Sequence, residues 1–221
     1  LEGEAVRSLT SIFLELWYLQ TRQREPADAY LDISHSVTAS GVVQPFGDNP
    51  LEEERIAEDI YMNLINQANH NLYIITPYLI ITDEMTRALG LAAKRGVDIR
   101  IITPGIPDKK TVYAMTRSYY PGLLRQGVRI FEYTPGFCHA KQCLSDGKIA
   151  VIGTSNMDYR SLYHHFENNV LLYDLEAVEA IGADFEAMFP QCREVTSLYS
   201  SSRSHIMRIW QYILRLFAPL I

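Results

Sequence analysis

The chain has 221 residues, 48% of them hydrophobic and 21% charged, with a formal net charge of −6 and a pI near 5.5. That is enough apolar material for one sizeable α/β domain with appended elements, able to fold alone. The acidic balance argues against a general polyanion binder, because affinity for a phosphate backbone rests on clustered lysine and arginine, so a nucleic-acid partner is not expected.

Leu9, Ile12, Phe13, Leu16 and Trp17 recur at helical spacing and predict an amphipathic helix over residues 4–20, its apolar side turned to a core. Residues 21–41, with Pro26, Ser34, Ser36, Ser40 and Gly41, read as a mostly irregular connection. Val42-Val43-Gln44 is a short strand ended by Pro45, and Asn49, Pro50 and Glu52 read as the cap and first turn of a helix whose face is Ile56, Ile60, Leu64 and Ala68. Leu72-Tyr73-Ile74-Ile75 is a buried strand by its continuous apolar content. Thr82 caps a helix that closes at Lys94-Arg95-Gly96, where basic residues meet the last turn and glycine follows. Residues 97–102 form a strand, 109–126 a helix uneven around Pro121, and 128–133 another strand. Such a β-α-β-α-β succession predicts parallel strands, with ligands at their carboxyl ends. The loops holding Thr76-Pro77-Tyr78 and Thr103-Pro104-Gly105 then share a rim.

The chemistry concentrates between His139 and Glu167. In an extended segment alternate side chains share a face, so His139 and Lys141 converge on one point. Asp146-Gly147 is a strong hairpin signal, and residues 148–152 return the chain to Gly153-Thr154-Ser155-Asn156 beside His139. Glycine permits close backbone approach to a ligand, while the Thr154 or Ser155 hydroxyl and the Asn156 amide can donate to phosphate oxygens. Histidine supplies a nucleophile or acid near neutral pH and lysine a fixed charge. The set requires no metal and no cofactor. Cys138, Cys143 and Cys192 are an odd count without a Cys-x-x-Cys pair, which fits a reducing compartment and structural thiols. Beyond the site, a short helix at 158–163, a strand at 166–173 and a helix through Leu175, Val178, Ile181, Phe185 and Met188 are predicted, with a closing amphipathic helix over 204–217. For that last helix docking is the first reading, and contact with a membrane surface through Trp210, Arg203, Arg208 and Arg215 the second.

His139-x-Lys141-x4-Asp146-x6-Gly153, with Thr154, Ser155 and Asn156 just beyond, resembles the HKD motif of the phospholipase D superfamily. Residues 153–161 and Phe166-Glu167-Asn168-Asn169 are similar to the second motif of bacterial cardiolipin synthases. The resemblance implies an α/β phospholipase D-like fold, a mixed and mostly parallel sheet flanked by helices on both faces. It divides the chain into an amphipathic helix and connection (1–41) and a catalytic domain with its closing helix (42–221). It implies catalytic roles for His139, Lys141, Asp146, Asn156 and Glu167, with Glu167 orienting His139 through its second ring nitrogen and Asp146 serving structure more than chemistry. Gly153, Thr154 and Ser155 would bind phosphate; family members more often carry serine where Thr154 stands.

The activity so implied is transfer of a phosphatidyl group from one phosphatidylglycerol to another through a phosphohistidine, at a membrane surface on the cytoplasmic side. Members carry two such motifs, and this chain contains one His-x-Lys. Its partner is then an N-terminal half of the same enzyme, consistent with a chain that opens at Leu1 without methionine and reads as a soluble fragment. The alternative is a single-motif phosphodiesterase or nuclease completed by a homodimer mate.

Overall fold

The computed structural model describes residues 1–32, 40–200 and 214–218. Helix α1 (Glu4–Thr21) lies along β1 (Val42–Asp48), with the short α2 (Asp28–Leu31) between them in sequence. Since β1 is the edge of the sheet, α1 is covered on one flank only. Leu9, Ile12 and Leu16 are half-buried, while Phe13 and Trp17, assigned to the apolar side, are exposed and stack on each other at 6.0 Å. The strand does not stop at Pro45. Pro45 pairs with Val170 and the strand runs on to Asp48 opposite Glu167, because an edge position tolerates a residue that cannot donate to the ladder.

Asn49 does not cap a helix directly. Its amide closes a local turn with Leu51 and Glu52, and α3 starts later, at Ile56 (Ile56–Gln67), where the Asp48 carboxylate accepts from the Ala57 N–H at 3.0 Å. The buried face of α3 is Ala57, Tyr61, Leu64 and Ile65. Next come β2 (Asn71–Ile75), the two-residue β3 (Leu79–Ile80), α4 (Asp83–Lys94) and β4 (Asp98–Pro104). Thr82 caps α4 as the sequence indicates, its hydroxyl accepting from Met85 N–H at 3.2 Å. Helix α5 (Lys110–Arg125) absorbs Pro121 and leads to β5 (Arg129–Tyr133).

The chain then reverses. Strands β6 (Gln142–Ser145) and β7 (Ile149–Gly153) form the hairpin, followed by β8 (Met157–Asp158), a π-helical turn at Arg160–His164, and β9 (Glu167–Tyr173). Helix α6 (Glu176–Met188), β10 (Cys192–Glu194) and α7 (Thr196–Ser200) follow. The main sheet runs β1-β9-β7-β6-β2-β4-β5-β10, and β3 pairs in parallel with β8 in a separate ladder.

The α/β class and the mixed sheet stand as expected, but parallel pairing does not dominate. Only β2·β4 and β4·β5 are parallel in the main sheet; the other neighbours are antiparallel, because β6 enters beside β2 from the opposite direction and the hairpin propagates that sense to β9 and β1. Helices cover both faces. One core joins Ala57, Leu64, Met85, Leu89, Met115 and Tyr120 to the sheet, and a second, around Phe185 and Phe189, lies under α6.

Of the closing segment only residues 214–218 are described, so Arg203, Arg208 and Trp210 lie outside the described residues. Arg215 is not turned to an open surface: its guanidinium donates to Ser118 O at 2.6 Å and lies over the Tyr119 ring. No helix among the described residues is long and apolar enough to cross a membrane.

Candidate active site

The carboxyl ends of β2, β4 and β5 mark one rim of the sheet, where ligands of such folds bind. Residues 134–141 cross this rim, and Gln142 then pairs with Ile75 on one side and Ile152 on the other. His139 and Lys141 are thus delivered to the end of the hairpin that also holds Gly153. The Gly153 N–H donates to Lys141 O at 3.4 Å.

His139 and Lys141 precede β6 and are not on a strand, so they do not meet by alternation. Lys141 folds back instead: Nζ lies 3.2 Å from Nδ1 and 3.1 Å from Nε2 of His139, and donates to the His139 carbonyl at 2.8 Å. The imidazole is exposed on the remaining side, stacked on Phe137 at 5.8 Å and met edge-on by Tyr78 at 6.4 Å. Its pKa lies below the ordinary histidine value, first through desolvation and then through the Lys141 ammonium, with Asp108 opposing. Lys141 is itself lowered by desolvation, against the pull of Glu167 and Asp158.

The loop after β7 is largely self-satisfied. A Cβ at Gly153 would fall 2.3 Å from Asn169 Oδ1 and 2.5 Å from Asn168 O, so glycine is needed there to admit β9 rather than a ligand. The Thr154 hydroxyl donates to Glu167 and accepts from Asn168 N–H at 2.9 Å. Buried Ser155 is held by Asn169, whose Nδ2 donates to its hydroxyl at 2.7 Å. The Thr154 hydroxyl is thus committed as donor and as acceptor, while the Ser155 hydroxyl is closed off from the rim by burial. Asn156 Nδ2 donates to Ser161 Oγ at 3.0 Å, and Asn156 Oδ1 is a buried acceptor without a protein partner.

Glu167 does not orient His139 within this chain: its oxygens take the Thr154 hydroxyl and face His165 Nδ1 at 3.6 Å. It sits opposite Asp48 at the end of the β1·β9 ladder. The strand end buries Glu167 behind the loop, which places it beside Thr154 instead of over the imidazole.

Asp146 lies at the far end of the hairpin, four residues beyond Gln142, or roughly 13 Å along a strand. Asp146 and Gly147 both have positive φ, 53° and 64°, in the three-residue turn between Ser145 and its partner Ile149, where the Lys148 N–H donates to Ser145 O at 3.0 Å. The Asp146 carboxylate accepts from the backbone N–H groups of Asn69, His70 and Asn71 at 2.8–2.9 Å. Partial burial would raise its pKa, but these donors outweigh it and hold the carboxyl low. Its work is structural, tying the hairpin turn to the start of β2.

Two side chains not singled out in the sequence join the rim. Tyr78 O–H donates to Asp108, and Asp108 also accepts from Lys109 N–H at 2.6 Å. Their sequence signal was the pair of proline-bearing loops after β2 and β4, which foretold a shared rim without saying which side chains meet. Buried Asp158, its Oδ1 accepting from Ser161 N–H at 2.8 Å, is raised in pKa by desolvation. Cys143 is buried beneath the hairpin, its thiol pushed up to about 12 by desolvation, which leaves it an inert filler.

Fold and site together define a phospholipase D-like module, with imidazole, ammonium and amide gathered at the carboxyl ends of the sheet. Residues 61–189 match the family described as "Cardiolipin synthase, PLD-like domain", and the chain belongs to that family. A protein of Streptococcus mutans described as uncharacterised is 44% identical over 221 residues, covering 100% of this chain and 48% of its own length. A cardiolipin synthase of Geobacillus thermodenitrificans is 36% identical over 222 residues, covering 100% of this chain and 44% of its own. The chain therefore spans about half the length of these curated relatives. Phosphatidylserine synthase of Haemophilus influenzae has the same fold, with a TM-score of 0.64, 15% identity, 88% of this chain and 51% of its own.

Proposed function

We propose that this chain is one catalytic half of a cardiolipin synthase, moving a phosphatidyl group from one phosphatidylglycerol to the headgroup hydroxyl of another. The observation that carries the reading is the Lys141 ammonium within 3.2 Å of both ring nitrogens of His139, at the mouth of the Asn156 loop. An anionic phosphodiester placed there meets a fixed positive charge and a group able to hold or move a proton.

In-line displacement at phosphorus needs a nucleophile on one side and a proton-handling group on the other. This chain contains one His-x-Lys pair. The second histidine comes from another module, an N-terminal half of the same protein in the favoured reading. That histidine attacks phosphorus, the phosphorus–oxygen bond to the leaving glycerol breaks, and His139, charged once the anionic substrate is bound, returns a proton to the leaving alkoxide. In the second step the acceptor oxygen bonds to phosphorus, the phosphorus–nitrogen bond breaks, and neutral His139 takes the acceptor proton. Asn156 stabilises the developing charge, and Glu167 holds Thr154 and the loop around it.

The test is His139→Ala in the intact protein, assayed for cardiolipin formation on phosphatidylglycerol vesicles. Loss of turnover with the fold retained is expected; activity above about a tenth of wild type would remove His139 from the chemistry.

A further inference from the structure

Next to His139, across Tyr78, a cleft of about 370 Å³ is lined by Tyr78, Lys109, Asn156, Asp158, Arg160 and His165. Three of these are basic or can become so, in a chain whose net charge is −6. The arginines along the sheet and on α5 are committed: Arg100 to Asp98, Arg129 to Glu194, Arg117 and Arg193 to Glu132. Neither the Lys109 ammonium nor the Arg160 guanidinium makes a hydrogen-bonded ion pair among the described residues. The neighbouring carboxylates are drawn to these cations, Asp108 to Lys109 and Asp158 to Arg160 and His165, while their hydrogen bonds go elsewhere: Asp108 to the Tyr78 hydroxyl and the Lys109 N–H, Asp158 to Ser161 and Glu167 to Thr154. Asn156 Oδ1 is left buried without a partner at the edge of this cleft, which a donor on a bound molecule would satisfy.

We propose that the cleft binds a second phosphate group, the one already carried by the acceptor lipid, beside the phosphate under transfer. The inference rests on the transferase reading above and adds the basis of acceptor choice. A glycerophosphoryl headgroup carries its free primary hydroxyl three carbons from its own phosphate. Holding that phosphate between Lys109 and Arg160 brings the hydroxyl past Tyr78 toward His139, which takes its proton as the new phosphorus–oxygen bond forms. The inner hydroxyl of the headgroup is the donor that Asn156 Oδ1 lacks. Water and neutral alcohols gain nothing from the cations, so the cleft selects an anionic acceptor and suppresses hydrolysis.

The experiment uses the intact protein with phosphatidylglycerol vesicles and three acceptors: the lipid itself, soluble glycerol phosphate and isotopically labelled glycerol. In the double variant K109Q/R160Q, both positions being at the cleft mouth, the ratio of cardiolipin to labelled-glycerol exchange should fall roughly tenfold or more, as loss of charge-assisted phosphate contacts implies. Hydrolysis to phosphatidic acid should rise relative to transfer. If soluble glycerol phosphate competes with the lipid in the wild type and not in the variant, the phosphate alone is recognised; if only the lipid is selected against, the lipid-borne phosphate is. An unchanged ratio overturns the proposal. If the wild type makes no product with any acceptor, the transferase reading has failed instead, and binding of glycerol phosphate by NMR then decides the cleft: equal affinity in wild type and K109Q/R160Q refutes it.

Discussion

At His139 burial and the Lys141 ammonium act in the same direction, both disfavouring imidazolium, and Asp108 alone opposes them. Lys141→Met removes one of the two, so the His139 pKa should rise, and the basic limb of a rate profile that needs imidazolium to protonate the leaving alkoxide should move to higher pH. Titration of the ring by NMR in the two proteins reads this directly; a midpoint that stays put or falls would take Lys141 out of the electrostatics of the site. Asp146, by contrast, is bound to three backbone N–H groups away from the rim. Asp146→Ala should cost about 2–3 kcal/mol of stability, in the range expected when a charged acceptor is deleted from satisfied donors, while turnover per folded molecule is kept. Because its folded pKa lies below the unfolded value near 3.9, the stabilisation is complete above that pH and is lost as pH falls through the folded value. Denaturant melts of wild type and variant should therefore differ at pH 7 and converge as pH falls well below 4; a constant gap would assign the effect to something other than the carboxylate.

At the scale of elements, the far edge of the sheet is pinned by one buried carboxylate. Glu132 on β5 is fully buried and accepts from Arg117 of α5 at 2.8 and 2.6 Å and from Arg193 of β10 at 2.6 Å. Glu132→Ala removes the shared acceptor of two partly exposed guanidinium groups and should destabilise the fold by about 1–3 kcal/mol, whereas Glu132→Gln keeps the shape and part of the hydrogen bonding and should cost less. Thermal unfolding of the two variants checks the order; equal losses would mean that shape and not charge holds β10. The elements written most plainly in the sequence are those with local signals: the apolar runs of β2, β4 and β5, the Thr82 cap and the Asp146-Gly147 turn. Those misread depend on neighbours. Proline ends most strands, yet β1 runs through Pro45 because it lies on the edge, and the start of α3 moved to Ile56 because Asp48, on the preceding strand, supplies the cap acceptor.

For the whole molecule the count of histidines decides the expectation. On the proposed mechanism one His-x-Lys pair gives half of an in-line site, and the relatives are about twice as long. This chain alone should transfer little or no phosphatidyl group, and any activity should rise more steeply than first order with protein concentration if two copies join through their His139 faces. Adding a separately expressed N-terminal half should restore turnover, and His139→Ala should abolish that rescue. Robust turnover by a chain shown to be monomeric by light scattering would refute the two-half site.

The sequence by itself determined the family and the α/β class, and it named His139, Lys141 and Asn156 as the residues proposed for the chemistry, since these are carried by residue type at fixed spacing. Tertiary structure decided who touches whom. Thr154 looks like a phosphate donor until its hydroxyl is seen to donate to Glu167 of β9, and Ser155 until it is seen buried against Asn169. Glu167 looks like the partner of His139 until the ladder with β1 places it on Thr154, and Tyr78 and Asp108 come from loops 30 residues apart. Spacing specifies which groups a strand or turn can present. Pairing of most buried donors and acceptors, which only the assembled sheet can arrange, specifies which of them remain for a substrate, Asn156 Oδ1 among them.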